Sequence, residues 1–478
     1  MNPMETNSIK KAVYINAAAR YSTLFLGLLF SAVLARILTP EDYGIVAVTV
    51  VFTTFFSLLS DLGLGAGIIQ NKELDQEDIG HIFAFSLRLA LVLAGAFALF
   101  SIPMSYFYGN PVYVPVGILL AVSLFFNTMN VVPNALLLKQ KEFKSVALRI
   151  FCACIVSGIA GIVLALIGLK FYALVAQSII NSAFIFGWNY LSTRPPIARR
   201  VRRESLDRIR SYSGFLFGFN LINYFARNTD NLLIGKVMGP AQLGHYDKAY
   251  KLMLYPVNNL THVITPVLHP ILSEHQTNKE YIYDKYRQVV KVLSLLGAFI
   301  TPFCWFACSE IIRIMYGQQW LAAIPCLQWM SLAMWAQMIL SSAGSIFQSV
   351  GDTKRLFLSG SINAVLVVAF IIAGLLEGSI TAVARNVALA YNIQFVATFY
   401  ILVHLSLGLR CRDFLKGLLP DLAVMAVVAL SGLCAGLIPE QQLVPSFLMK
   451  AGIMGGTYVA ALAATRQLKP LLSLLFRR

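Results

Sequence analysis

Acidic residues are the scarcest chemistry in this chain. Asp and Glu number 22 against 38 Lys and Arg in 478 residues, and charged residues of both signs make up only 13%. Soluble domains carry roughly 25% charge, so this chain has too little to clothe an ordinary globular surface. Cysteine is sparse and unpatterned. Cys152, Cys154, Cys304, Cys308, Cys326, Cys411 and Cys434 lie in apolar segments or at their ends without a CxxC pair, which excludes a zinc site or a disulfide framework and reads as plain thiols. No P-loop, HExxH or nucleophile elbow is present, so neither ATP-driven transport by this chain alone nor any metal or other cofactor is expected. The run DLGLGAG at 61–67 imitates a nucleotide-binding glycine loop, but no strand precedes it. Small residues for close helix packing explain it better, as they do Gly214 and Gly218. A cleavable leader is not expected, because Arg20 interrupts the apolar run after Ala17, Ala18 and Ala19. The N-terminus is expected to stay as the first helix.

What the chain has in abundance is hydrocarbon: 58% of its residues are hydrophobic and the mean hydropathy is +0.71. It reads as an all-α integral membrane protein. A span needs about 20 mostly apolar residues at roughly 1.5 Å each. Fourteen segments qualify, at about 12–35, 43–69, 82–107, 113–138, 145–168, 171–191, 212–236, 245–272, 287–311, 321–347, 356–376, 380–405, 417–437 and 446–465. The eighth carries Pro256, Pro266, Pro270, Asn258, Asn259 and His262, so it is expected to bend and to face protein or water instead of lipid.

Seven arginines crowd the stretch STRPPIARRVRRESLDRIRSY at 192–212. Membrane proteins keep Lys and Arg in cytoplasmic loops, which puts this linker and both termini in the cytoplasm. With that threading, 25 of the 38 basic residues fall in cytoplasmic loops and ends. Five (Arg36, Lys170, Lys236, Arg313 and Lys450) fall at outer ends and eight lie within helices. The +16 net charge is thus accounted for by topology, and no nucleic-acid partner is needed to explain it. The implied order is a six-helix lobe at 1–191, the linker at 192–211, a second six-helix lobe at 212–405, and two further helices with a cytoplasmic tail at 406–478.

The two lobes share a pattern. ARILTPEDYG at 35–44 returns as GKVMGPAQLG at 235–244, with Arg36 matching Lys236, Pro40 matching Pro240 and Gly44 matching Gly244. Farther along, Tyr108, Gly109, Gln140, Val175 and Ala176 match Tyr316, Gly317, Gln348, Val383 and Ala384 at an offset of 208. Each repeat holds an even number of helices, so the two copies run parallel, related by an axis along the membrane normal. Two such repeats are expected to form two lobes around a central cavity, with helices 13 and 14 as an appendage.

The strings LARILTPEDYGIVAVTVVF and NTDNLLIGKVMGPAQLGHYDKAY resemble Wzx-like polysaccharide flippases of the multidrug, oligosaccharidyl-lipid and polysaccharide exporter superfamily, over most of residues 1–410. That resemblance implies a bacterial inner-membrane transporter for an undecaprenyl-diphosphate-linked glycan in exopolysaccharide, capsule or O-antigen (lipopolysaccharide) synthesis. Membrane lipid and a polysaccharide polymerase would be its partners. A multidrug exporter of the same superfamily would favour an acidic cavity for cationic drugs, against the basic excess here. A polysaccharide polymerase or ligase would carry a large outer loop, whereas the longest outer connection is about ten residues.

Charges inside spans cost several kcal/mol unless paired or hydrated, which makes them functional candidates. Arg20, Asp61 and Arg88 form a layer roughly 9–12 Å from the cytoplasmic ends of helices 1–3 at 1.5 Å per residue. Arg227, Asp230, Lys248 and Lys251 form a second layer nearer the outside, with Arg227 and Asp230 spaced i, i+3 on one face. Cations outnumber acids in both layers, as suits a path for a diphosphate. Ion pairs of Arg20 with Asp61, Arg227 with Asp230 and Asp247 with Lys251, serving only to hold helices together, are the competing account. Arg149 and Arg385 are expected to snorkel to the interface. Glu310 and Asp61 are weaker candidates as proton carriers, and His262 and His269 read as packed, hydrogen-bonded residues.

Overall fold

The computed structural model describes residues 3–61, 64–71, 73–198, 201–202, 204–205, 214–273, 276, 278–438 and 442–475. Within them, the side chains of 3–19, 61, 143, 214–223, 226, 260–271, 273 and 472–475 lie outside the description. The chain is all-helical, with 87% of residues in helix and no strands among those described.

Two compact units divide it, Met1–Gly244 and His245–Arg478. In the first unit the helices are α1 (Pro3–Ile37), α2 (Pro40–Asp61), α3 (Leu64–Gln70), α4 (Gln76–Tyr108), α5 (Tyr113–Met129), α6 (Val131–Lys139), α7 (Phe143–Leu166), α8 (Phe171–Thr193) and α9 (Gly214–Val237). Helix α10 (Pro240–Ser273) begins at the boundary. The second unit continues with α11 (Lys279–Phe306), α12 (Cys308–Tyr316), α13 (Ala323–Ser331), α14 (Met334–Leu340), α15 (Ala343–Ser349), α16 (Thr353–Leu376), α17 (Ile380–Phe399), a π-helical turn (Tyr400–Ser406), α18 (Cys411–Ala435), α19 (Leu443–Ala464) and α20 (Leu468–Leu475).

Eleven described helical segments are long and apolar enough to cross a membrane, or twelve if Ala323–Ser331 and Met334–Ser349, bent by 55°, count as one span. The chain is therefore a multi-pass membrane protein. Two of the expected spans, α9 and α10, are helices of 24 and 34 residues yet do not meet the apolar criterion. Arg227, Asp230, Asp247, Lys248 and Lys251 all fall on these two helices. A helix of spanning length with such a face is not built to lie against lipid.

Helix α2 starts where the repeat pattern places its first proline. Pro40 occupies the first helical position, where a missing N–H costs nothing. The preceding Thr39 closes a reciprocal cap with Asp42: its backbone N–H and hydroxyl donate to Asp42 Oδ2 at 2.9 and 2.7 Å, and the Asp42 N–H donates back to Thr39 Oγ1 at 3.2 Å. Buried Asp42 also accepts from the Phe171 N–H at 3.1 Å through Oδ1, fixing the start of α8.

The recurrent proline and glycine meet in space. A Cβ on Gly44 would lie 1.7 Å from the Pro240 carbonyl oxygen, and one on Gly244 would lie 1.9 Å from the Pro40 carbonyl oxygen. Only glycine allows backbones to approach so closely. Helix α9 packs on α2 beside this contact. Tyr224 donates to the Val51 carbonyl, and the Phe55 and Phe225 rings lie 5.0 Å apart.

The described start of the basic linker docks on the N-terminus of α4. Arg202 pairs with Glu77 at 2.7 Å, and the Ser205 hydroxyl donates to Asp78 Oδ1 at 2.7 Å. In the second unit α11 is the hub. Its Leu293 joins a core with Trp335, Phe395, Phe399 and Phe414, while Val292 and Leu295 pack with Val424, Val428 and Met454 from α18 and α19.

Candidate functional site

Arg20 on α1, Arg88 on α4 and Arg227 on α9 are all exposed on helix surfaces. No ion pair engages Arg20 or Arg227 among the described residues. The side chain of Asp61 lies outside the described residues, as do those of His262 and His269.

Arg227 and Asp230 share α9 but not an environment. Asp230 is 3% exposed and accepts from the Asn231 N–H at 2.9 Å, while Arg227 faces outward. Asp247 and Lys251 are joined at 2.6 Å, with the carboxylate buried and the ammonium 58% exposed. Buried Lys248 has its Nζ 4.8 Å from the Tyr316 ring centre and 5.8 Å from that of Trp320. Aromatic faces stabilise a cation that has left water, so this lysine has a packed seat.

Several charges sit otherwise than the sequence suggests. Lys450, expected at an outer helix end, lies inside α19 at 3% exposure and pairs with fully buried Glu310 at 2.6 Å. Its Nζ also donates to the Phe306 carbonyl at 3.0 Å, and Ser446 donates to Glu310 Oε1 at 2.7 Å. The cation thus meets the carbonyl end of α11, and the anion sits in the first turn of α12, each favoured by the helix dipole there. Arg385, near a helix end as expected for snorkelling, extends outward to partly exposed Glu377 in the connection before α17 at 2.5 Å. There the Arg385 bond, then that of Asn386, holds the Glu377 carboxyl below its ordinary range. A further pair, Lys291 with fully buried Asp421, ties α11 to α18.

Arg149 departs furthest from expectation. Instead of reaching for the interface it is 5% exposed, because a ring of amides satisfies it within the bundle. One Nη1 bond runs to Asn189 Oδ1, and both terminal nitrogens reach Asn134 Oδ1 at 3.2 Å. Asn189 in turn donates through Nδ2 to Asn130 Oδ1 at 2.6 Å. Asn130 and Asn134 then line a recess of about 430 Å³ together with Ser57, Ser60, Asn127 and the apolar residues of α3. The asparagines at i and i+4 carried the signal for this cluster, though only the fold shows that Arg149 on the next helix binds Asn134 directly and reaches Asn130 through Asn189.

A family model described as "Polysaccharide biosynthesis protein" matches residues 33–325. The lipopolysaccharide biosynthesis protein WzxC of Escherichia coli (strain K12) is 23% identical over 424 residues, 84% of this chain and 82% of that protein. The succinoglycan biosynthesis transport protein ExoT of Rhizobium meliloti (strain 1021) is 21% identical over 420 residues, 87% of this chain and 83% of that protein. Among solved structures, the lipid II flippase MurJ in its inward closed conformation superimposes with a TM-score of 0.75 at 16% identity, covering 95% of this chain and all of that one.

Proposed function

This chain belongs to the polysaccharide biosynthesis protein family, and we propose that it flips a lipid-linked oligosaccharide repeat unit, carried on undecaprenyl diphosphate, across a bacterial inner membrane. The observation that carries this reading is the set of outward-facing cations, Arg20 and Arg88 on apolar spans and Arg227 on the more polar α9. A guanidinium on a spanning helix is costly against lipid, so these faces meet water or an anion, and the diphosphate of the proposed substrate is such an anion. Asp61, Asp230, Lys248 and Lys251 complete the proposed path, Asp230 and Lys248 being buried each within its own unit.

In this reading the cytoplasmic linker keeps both termini inside, and the six-helix repeats at 1–191 and 212–405 rock to expose the site to each side in turn. A polysaccharide polymerase would receive the product on the outer leaflet. The chain moves its substrate without making or breaking a covalent bond.

Deleting the gene tests the proposal. Chemical analysis of the membrane should show a lipid-linked glycan accumulating, with surface polysaccharide lost and both restored by the intact gene. A deletion strain with unchanged lipid-linked sugars and surface glycan would refute it.

A further inference from the structure

We propose that the recess lined by Asn130 and Asn134 in the first unit binds the anionic oxygens of the lipid-linked substrate's head through the Nδ2 amides of these two residues. The inference rests on the flippase reading and adds a site that the exposed cations do not include.

Donor chemistry fixes the direction of each amide. A guanidinium can only donate, so Asn134 and Asn189 must both present oxygen to Arg149. With its oxygen so engaged, Asn189 turns its Nδ2 to Asn130, which therefore must accept through Oδ1. The relay ends with Asn130 and Asn134 each having oxygen directed into the protein and an Nδ2 group bonded to nothing among the described residues. Both residues line the recess.

The hydroxyls beside them are already committed. Ser57 donates to the Thr53 carbonyl at 3.0 Å and Ser60 to the Ser57 carbonyl at 2.6 Å, so the side-chain donors left for a ligand come from asparagine. Among the described lining residues there is no carboxylate, and no described carboxylate pairs with Arg149, whose Nε has no partner. A buried positive charge polarises Asn134 directly and Asn130 through Asn189, leaving the N–H groups of Asn130 and Asn134 for the recess they line. That lining favours an acceptor carrying negative charge, and about 430 Å³ is the size of a small-molecule site. Two parts of a lipid-linked glycan offer such oxygens: the diphosphate, and the carboxylate of an acidic sugar.

Asn→Asp substitution separates ligand binding from architecture. Asn130→Asp and Asn134→Asp keep an oxygen for Asn189 and Arg149 but replace each recess-facing N–H group with a negatively charged oxygen. Asn127→Asp adds a carboxylate to the same lining without touching the relay. Binding to the purified full-length protein would be measured by microscale thermophoresis with undecaprenyl diphosphate, which has no sugar, and with dodecyl glucuronide, which has no diphosphate. All three variants should weaken at least one probe tenfold or more while keeping the wild-type melting temperature, and the probe affected identifies the source of the oxygens. Unchanged affinity for both probes would overturn the proposal. So would normal binding by Asn127→Asp combined with loss of both binding and stability in the other two. A wild-type protein that binds neither probe would also overturn it, and glycan accumulation on gene deletion would then show that the flippase reading survives alone.

Discussion

Replacing Lys450 with methionine removes one member of an ion pair whose partners are 3% and 0% exposed. Breaking a buried pair from one side typically costs about 3–5 kcal/mol, because the remaining charge loses its partner without regaining water. Here Glu310 would keep only the Ser446 hydroxyl on Oε1, and its Oε2 already has no partner among the described residues. The Phe306 carbonyl would lose its donor too. Converting both residues to methionine removes the stranded charge and leaves two neutral orphans, the Phe306 carbonyl and the Ser446 hydroxyl, each costing about 1–3 kcal/mol at most. Lys450→Met should therefore be less stable than wild type by about 3–5 kcal/mol, and adding Glu310→Met should regain part of that loss by removing the stranded charge. Denaturant unfolding of the detergent-purified proteins, arranged as a double-mutant cycle, measures both quantities. Equal stability of wild type and Lys450→Met, or a double variant no better than the single one, would refute the reasoning. Glu310→Gln provides a further check: as a structural anion it should lower protein level yet leave export per molecule unchanged, whereas a proton carrier would do the reverse.

Gly44→Ala and Gly244→Ala each place a Cβ within 2 Å of a carbonyl oxygen, so backbone must move, at a cost of about 1–3 kcal/mol or more. Thermal unfolding of the two variants should show matching losses. Arg20→Ala, Arg88→Ala and Arg227→Ala should each lower glycan export about tenfold or more, from a charge-assisted contact worth about 1.5–3 kcal/mol, with membrane levels near normal; normal export in all three would move the path elsewhere. At Glu377 the folded carboxyl titrates below its usual value of 4.5, so its pairing with Arg385 stabilises the protein above that pH and is lost as the pH falls below it. Glu377→Gln should accordingly flatten the melting-temperature profile by lowering its neutral end slightly while leaving the acid end nearly unchanged. Arg200→Cys in a cysteine-free background should react only with membrane-permeant reagents, and labelling from outside intact cells would overturn the cytoplasmic linker.

Helix positions were legible because the bilayer imposes a length and a polarity that composition records directly. Even the repeat strings were legible: Pro40 with Gly44 and Pro240 with Gly244 stood out in the sequence, and the fold shows why, since each glycine yields space to the other segment's proline carbonyl. Side-chain destinations were harder to read. Lys450 and Arg149 sit near helix ends in the sequence, where snorkelling is the default, but each is bonded by residues far along the chain: Glu310 in one case, Asn134 and Asn189 in the other. Periodicity says which face a residue occupies on its own helix but not what a neighbouring helix presents there. A lone cation in an apolar run does imply a partner, yet Glu310 and Asp421 gave no sign of which lysine they would meet.

The charges inside this bundle fall into two groups with different physical constraints. Lys450 with Glu310, Lys291 with Asp421, and Arg149 with its asparagines are enclosed by partners on other helices, and each ties together segments distant in sequence. The enclosed charges gain nothing from water and hold the bundle together, while the asparagines around Arg149 keep their N–H groups for the recess. Arg20, on an apolar span, and Arg227, on the more polar α9, are exposed with no ion pair among the described residues. Leaving a guanidinium in that condition is tolerable only beside water, and a wet face on a spanning helix is what a hydrophilic head group needs in order to cross. Lys251 stands between the groups: its carboxylate partner Asp247 is buried, but its ammonium is exposed and can meet an anion without abandoning the pair. Neutralising a cation of the first group should therefore lower stability, whereas neutralising one of the second should lower transport.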